Sequence, residues 1–109
     1  MKKRTENDVV KACLQWLEAH GWFCWRQNTL PVYDSTLKRF RKFSGLKGVS
    51  DIIALKDHPT HTCGGLAWFI ECKLDKGRQS PEQAEFQRNV EACGHKYTLA
   101  RSVDDLEQS

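Results

Sequence analysis

The chain has 109 residues, a net charge of +3 and five cysteines, none of which forms a C-x-x-C pair. This length fits one domain, residues 1–109, with a modest core. The lack of a long apolar run or an apolar leader argues against a membrane span or secretory signal, and the odd number of cysteines predicts a cytoplasmic protein with reduced thiols.

The charges are divided unevenly along the chain. Residues 1–47 carry ten Lys/Arg against four Asp/Glu, whereas residues 48–109 carry seven against ten, so the two parts have net charges of +6 and −3. A basic first part beside an acidic second part predicts a polyanion-binding surface next to a metal-binding pocket.

The first predicted element is a helix that begins after Thr5 and ends before Gly21. Thr5 and Asp8 form a capping pair, and apolar residues then recur at helical spacing from Val9 to Leu17. Glu6 lies on the apolar side of this helix, which would place its carboxylate at the rim of the core. It can equally be an acidic residue that interacts with the helix dipole.

A short strand is predicted at residues 22–27, followed by a loop or irregular hairpin at 28–47. Cations alternate with aromatic residues at 38–43, a pattern that suits contact with phosphates and bases. The alternative is an exposed strand held to the core by Phe40 and Phe43. The candidate nucleic-acid contacts here are Lys38, Arg39, Arg41 and Lys42.

Two short buried strands carry acidic residues at their ends. Asp51 opens the apolar run 51–55, and Glu71-Cys72-Lys73 closes the run 66–70. The turn between them predicts an antiparallel pair, in which the two carboxylates meet at one sheet edge and Glu71 shares a face with Lys73. Paired carboxylates suit Mg²⁺, and an adjacent lysine suits a phosphate.

Neither acidic piece is informative alone, because charged residues are common where strands end; their order and spacing together favour a site. The turn at 56–65 also contains His58, His61 and Cys63, but a structural zinc site would need a fourth ligand.

The rest of the chain predicts a helix, a strand and a short helical end. Ser80-Pro81-Glu82-Gln83 is a strong helix start in which Gln83 completes a capping box, and Gly94 ends the helix. Gln83 also leans towards the core, so it can cap the helix and face the pocket. A last strand is predicted at 97–101 and a helical start at 102–107.

This order of elements resembles the PD-(D/E)xK nuclease core, and more closely the virus-type replication-repair nuclease (VRR-NUC) domain. The similar segments are Glu6, Arg26-Gln27-Asn28, Gly48-Val49-Ser50-Asp51, Phe69-Ile70-Glu71-Cys72-Lys73 and Lys76 to Gln83. The resemblance implies an α/β fold with a restriction-endonuclease-like core, in which helices flank a central mixed β-sheet.

The resemblance also implies roles for individual residues. Asp51, Glu71 and the Cys72 carbonyl would bind Mg²⁺ or Mn²⁺, and Glu6 would complete the metal site directly or through water. Lys73 would be the catalytic lysine, and Gln83 would help to hold the site. Further DNA contacts would come from Arg26, Asn28, Lys47, Lys76 and Arg78.

The domain resembles the standalone phage and bacterial type, which implies a structure-selective DNA endonuclease that resolves four-way junctions as a homodimer, with no organic cofactor and no membrane partner. One alternative is a sequence-specific restriction-type nuclease, for which 109 residues leave little room. Another is a nucleic-acid-binding module that keeps the fold without the activity.

Overall fold

The computed structural model describes residues 3–27, 32–41, 46–57 and 65–109. In chain order these residues form α1 (Glu6–Ala19), β1 (Phe23–Arg26), β2 (Val32–Asp34), β3 (Arg39–Arg41), β4 (Ile52–Asp57), β5 (Gly65–Cys72), α2 (Pro81–Ala92), β6 (Lys96–Ala100) and α3 (Val103–Glu107). The fold is therefore of the α/β class, as predicted. No helix in these ranges has the length and apolar character needed to cross a membrane.

The main sheet has four strands in the order β1-β4-β5-β6. β1 and β5 both pair antiparallel with β4, whereas β5 and β6 run parallel, so the sheet is mixed as expected. Because β6 is parallel to β5, the chain must cross back between them, and α2 makes that crossover. The residues at 32–41 form a separate two-stranded hairpin of β2 and β3.

The two faces of the main sheet are covered differently. On one face α1 packs Val10, Cys13 and Leu17 against the fully buried Ile70 and Cys72. On the other face α2 packs Phe86 and Val90 against a smaller cluster. Because side chains alternate between faces along a strand, β5 and β6 contribute to both clusters.

The predicted helix starts are confirmed. At α1, the Thr5 hydroxyl accepts from the Asp8 N–H, and the Asp8 carboxylate accepts from the Thr5 N–H. At α2, Ser80 and Gln83 make the same reciprocal pair. These bonds satisfy N–H groups that a helix start leaves without partners.

Candidate active site

Asp51 and Glu71 lie opposite each other at one end of the β4–β5 pair. Ile52 pairs with Ile70, so the register places Asp51 across from Glu71. The Cys72 N–H donates to Asp51 Oδ2 at 2.8 Å, which fixes that carboxylate against β5. Charge and hydrogen bonding between the Asp51 and Glu71 carboxyl groups both raise the pKa of Glu71. The two acidic residues therefore meet at one sheet edge, as the sequence predicts.

Glu71 is a buried carboxyl group whose side chain is only 5% exposed. Burial, then the charge of Asp51 and the hydrogen bond to it, raises the pKa of Glu71 from its ordinary 4.5 to about 8, against the opposing effect of Lys73. Two carboxylates in contact cannot both ionise cheaply. A cation bound between them would allow both groups to be charged.

Lys73 brings a cation to the same place. Its ammonium nitrogen lies 3.7 Å from Glu71 Oε2, and its side chain is 17% exposed. Its backbone N–H donates to the Ala100 carbonyl, which continues the β5–β6 pairing. Gly77 packs beside it, since a Cβ there would lie 3.1 Å from the Lys73 Cβ. Lys73 is therefore positioned by its strand and by the loop that follows.

Gln83 binds Glu71 and caps α2 with the same side-chain amide. Its Nε2 donates to Glu71 Oε2 at 3.1 Å, while its Oε1 accepts from the Ser80 N–H at 2.8 Å. Gly48 allows the preceding loop to approach this helix start, because a Cβ at Gly48 would lie 2.3 Å from the Glu82 carbonyl oxygen. The predicted capping box is confirmed, and the same amide contacts Glu71.

The resemblance assigns two further residues, Glu6 and the Cys72 carbonyl, to the metal site. Glu6 is an exposed residue in the first turn of α1, and its charge adds to the rise in the Glu71 pKa. The Cys72 thiol faces the opposite side of the sheet, where it contacts the Cys13 thiol; this contact and burial raise its pKa. Within the described ranges, no group of three or more His, Cys, Asp and Glu side chains is placed to hold a metal ion.

The predicted nucleic-acid contacts are spread over several elements. Arg26, Lys38, Lys47, Lys76 and Arg78 are exposed. Lys76 and Arg78 lie between β5 and α2, in the loop that follows Lys73. Two other predicted contacts, Arg39 and Arg41, lie on β3. Asn28 and Lys42, and the trio His58, His61 and Cys63, fall outside the residues that the structure describes.

Arg101 is a positioning residue that the sequence analysis missed. Its guanidinium group donates to the Leu74 carbonyl oxygen at 2.5 Å and to the Gly77 carbonyl oxygen at 2.9 Å. It therefore holds the loop that packs on Lys73. Its position in the sequence could have indicated this role. Arg101 directly follows β6, and because β6 ends beside the end of β5, the residue after β6 lies near the loop after β5.

Comparisons with family models, with curated proteins and with solved structures find no match for this chain. A function is therefore inferred from the geometry of the Asp51, Glu71, Lys73 and Gln83 side chains.

Proposed function

We propose that this chain is a metal-dependent DNA endonuclease with a restriction-endonuclease-like core, similar to standalone VRR-NUC domains. The observation that carries the proposal is the register that places Asp51 across from Glu71, with the Lys73 ammonium 3.7 Å from Glu71. If Lys73 served only to form a structural ion pair, one carboxylate would be enough, and a second acidic residue beside it would not be needed. A second carboxyl group in contact with the first has a cost that a bound cation would offset.

The donor set fits a hard divalent cation. Mg²⁺ is commonly held by one or two carboxylates and keeps several water molecules, so it does not need a cage of protein ligands. Asp51, Glu71 and the Cys72 carbonyl would hold Mg²⁺ or Mn²⁺, with Glu6 acting through water because it is exposed at the start of α1. When bound, the ion would act as a Lewis acid and lower the pKa of a water molecule.

The protein groups would do the remaining work on a phosphodiester. Lys73 would orient the attacking water or stabilise the negative charge that develops on the phosphate. Gln83 would keep Glu71 in place through its amide N–H. Attack at phosphorus would break the bond to the 3′ oxygen and leave a 5′-phosphate and a 3′-hydroxyl, as the resemblance implies.

The proposal includes a substrate and an assembly. Exposed cations on several elements would bind phosphates without reading sequence, and the resemblance favours branched DNA, four-way junctions above all. Paired cuts on two strands need two sites related by a twofold axis, which a homodimer provides.

The test is a cleavage assay on linear, flap, fork and four-way DNA with Mg²⁺ or Mn²⁺, using wild type, Lys73→Ala and a control, Lys11→Ala. Lys11 is exposed on α1, so its loss should not affect cleavage. Removing a preorganised charge stabiliser typically costs 10²–10³ in rate, so Lys73→Ala should be nearly inactive while its unfolding midpoint stays close to that of wild type. Cleavage by Lys73→Ala at the wild-type rate would refute the assignment.

The alternatives predict different results in the same experiment. A restriction-type enzyme would cut linear duplexes at one sequence regardless of branching. A binding module without activity would bind the same DNA and cut none of it. Calorimetric titration with Mn²⁺ also distinguishes a nuclease from a binding module, because a protein that only binds DNA needs no divalent-ion site.

A further inference from the structure

The sheet face that carries the carboxylates also carries two exposed aromatic side chains. Side chains at alternate positions share a face, and Asp51, Ile53 and Leu55 alternate along β4. The register pairs Trp25 with Ile53 and Phe23 with Leu55, so both rings lie on the Asp51 face. The Gln27 N–H donates to the Asp51 carbonyl at 2.7 Å, which extends this pairing to the site itself.

The described residues cover only half of the width of this face. On the β5–β6 side, Phe69 packs edge-on against Phe86 of α2, and Phe86 packs against Tyr97. On the β1–β4 side, Phe23 is 70% exposed, Trp25 37% and Leu55 40%. Large exposed apolar side chains that adjoin one another on one face indicate an interaction surface, whereas single exposed apolar residues are common on any protein.

The exposed rings are held in a defined arrangement. The Phe23 and Trp25 rings lie 5.6 Å apart at an angle of 50°. The Trp25 indole N–H donates to Gln27 Oε1 at 3.3 Å, which links the indole to the row of side chains that contains Asp51. The ring of Trp25 is therefore oriented by its neighbours before any ligand binds.

The spacing relates the rings to the carboxylates. Two residues along a strand span about 7 Å, so the row of side chains that contains Trp25 lies about 7 Å from the row that contains Asp51. Stacked nucleotides are about 3.4 Å apart, so this distance corresponds to about two nucleotides. A phosphate at the carboxylates would therefore place a neighbouring base within reach of the indole. Beyond Phe23 and Leu55 the surface continues into an open groove of about 820 Å³.

We propose that Trp25, with Phe23 beside it, is a stacking platform for an unpaired nucleobase next to the phosphate held at Asp51 and Glu71. This inference rests on the proposed nuclease function and deepens it, because a duplex keeps its bases stacked on one another, whereas a branch or single strand offers them to a protein. The platform therefore selects nucleic acid with unpaired nucleotides beside the site.

The exposed area favours a base over a second copy of the chain. An aromatic side chain buries 150–250 Å² at most, so the exposed parts of Phe23, Trp25 and Leu55 together offer only a few hundred Å². A standard protein interface needs roughly 800 Å² on each partner. Stacked bases need much less surface, and aromatic rings suit them better than aliphatic side chains do.

The test measures DNA binding by fluorescence anisotropy in EDTA, where cleavage is absent, using a labelled single strand and a duplex of equal length. Trp25→Ala should weaken binding of the single strand roughly tenfold and of the duplex by less than twofold. Phe23→Ala should act in the same direction more weakly. Leu46→Ala removes an apolar side chain that is about as exposed as Phe23 but lies against α2, outside the β1–β4 half of the face, and it should change neither affinity.

A second measurement uses wild-type protein and so does not depend on the folding of a variant. Abasic nucleotides are placed one at a time along the single strand. One position should lower wild-type affinity to that of Trp25→Ala, and it should have no further effect on the variant. An equal loss for single strand and duplex, or the absence of any such position, would overturn the platform.

Two other occupants of this face give distinct results. If a second copy covers it, light scattering will show a smaller mass for Trp25→Ala than for wild type, and the proposal fails. If another part of this chain covers it, Trp25→Ala will lower the unfolding midpoint without changing DNA affinity, and the proposal also fails. The nuclease proposal is judged separately, since it fails only if intact protein cuts no DNA with Mg²⁺ or Mn²⁺.

Discussion

Replacing Glu71 by Gln should stabilise the protein at high pH when divalent cations are absent. The folded state holds a proton on Glu71 with a pKa of about 8, against an ordinary 4.5. A raised carboxyl pKa gives its full contribution to stability below pH 4.5 and loses it as the pH rises through 8. At about 1.4 kcal/mol per pKa unit, the full loss is roughly 5 kcal/mol.

Glutamine keeps a neutral side chain at every pH, so it escapes this loss. Movement of Lys73 towards the charged carboxylate would recover part of the energy in wild type, and we therefore expect a difference of about 2 kcal/mol or more at pH 9. At pH 4.5 the two proteins should be close in stability, since Glu71 is protonated in the folded wild type.

Urea denaturation in EDTA at pH 4.5, 7 and 9, followed by circular dichroism, measures the difference directly. Glu18→Gln is the matched control, because Glu18 is exposed on α1 far from the site. Saturating Mg²⁺ should reverse the order at pH 7, since an ion at 100 times its Kd adds about 2.7 kcal/mol to wild type alone. Parallel pH curves for wild type and Glu71→Gln would show that the pKa of Glu71 is not raised in the folded protein.

Four other predictions concern the metal, the loop, the basic hairpin and the assembly. In thermal melts, Mn²⁺ should raise the Tm of wild type but not of Asp51→Asn; an equal shift would exclude Asp51 as a ligand. Gly48→Ala should cost about 3 kcal/mol in urea denaturation because its Cβ meets the Glu82 carbonyl, whereas Gly94→Ala, at φ +84° with open space around it, should cost only about 1 kcal/mol; equal costs would show that the close approach does not matter. Alanine at Lys38, Arg39, Arg41 and Lys42 should weaken binding of all DNA sequences alike and reduce the salt dependence of the affinity, and a loss confined to one sequence would favour base readout. Light scattering at micromolar concentration should give the mass of a dimer, and mixtures of wild type with Lys73→Ala should nick one strand of a junction in a supercoiled plasmid; a monomer mass would count against the assembly.

The sequence predicted the elements that depend on local signals. The Ser80-Pro81 helix start and the two apolar runs around Asp51 and Glu71 define their own boundaries through capping groups and burial. The antiparallel β4–β5 pair followed from the short turn between the runs, and it brought the two carboxylates together.

The sequence could not predict contacts that depend on the crossover and on the width of the sheet. The interaction of Arg101 with the loop after β5 requires β6 to be parallel to β5, which a strand pattern alone does not specify. The exposure of Phe23 and Trp25 depends on how far α2 extends across the sheet. An aromatic residue in a short strand would ordinarily be assigned to the core.

Glutamine at position 83 suits the carboxyl group of Glu71 that the start of α2 faces. A glutamate would complete the capping box with Ser80 equally well, because either side chain offers an oxygen to the Ser80 N–H. Only the amide also has an N–H to give to Glu71. A glutamate at position 83 would place a third carboxylate beside Asp51 and Glu71, where two already repel each other. The first turn of α2 therefore presents a neutral hydrogen-bond donor to the carboxyl pair.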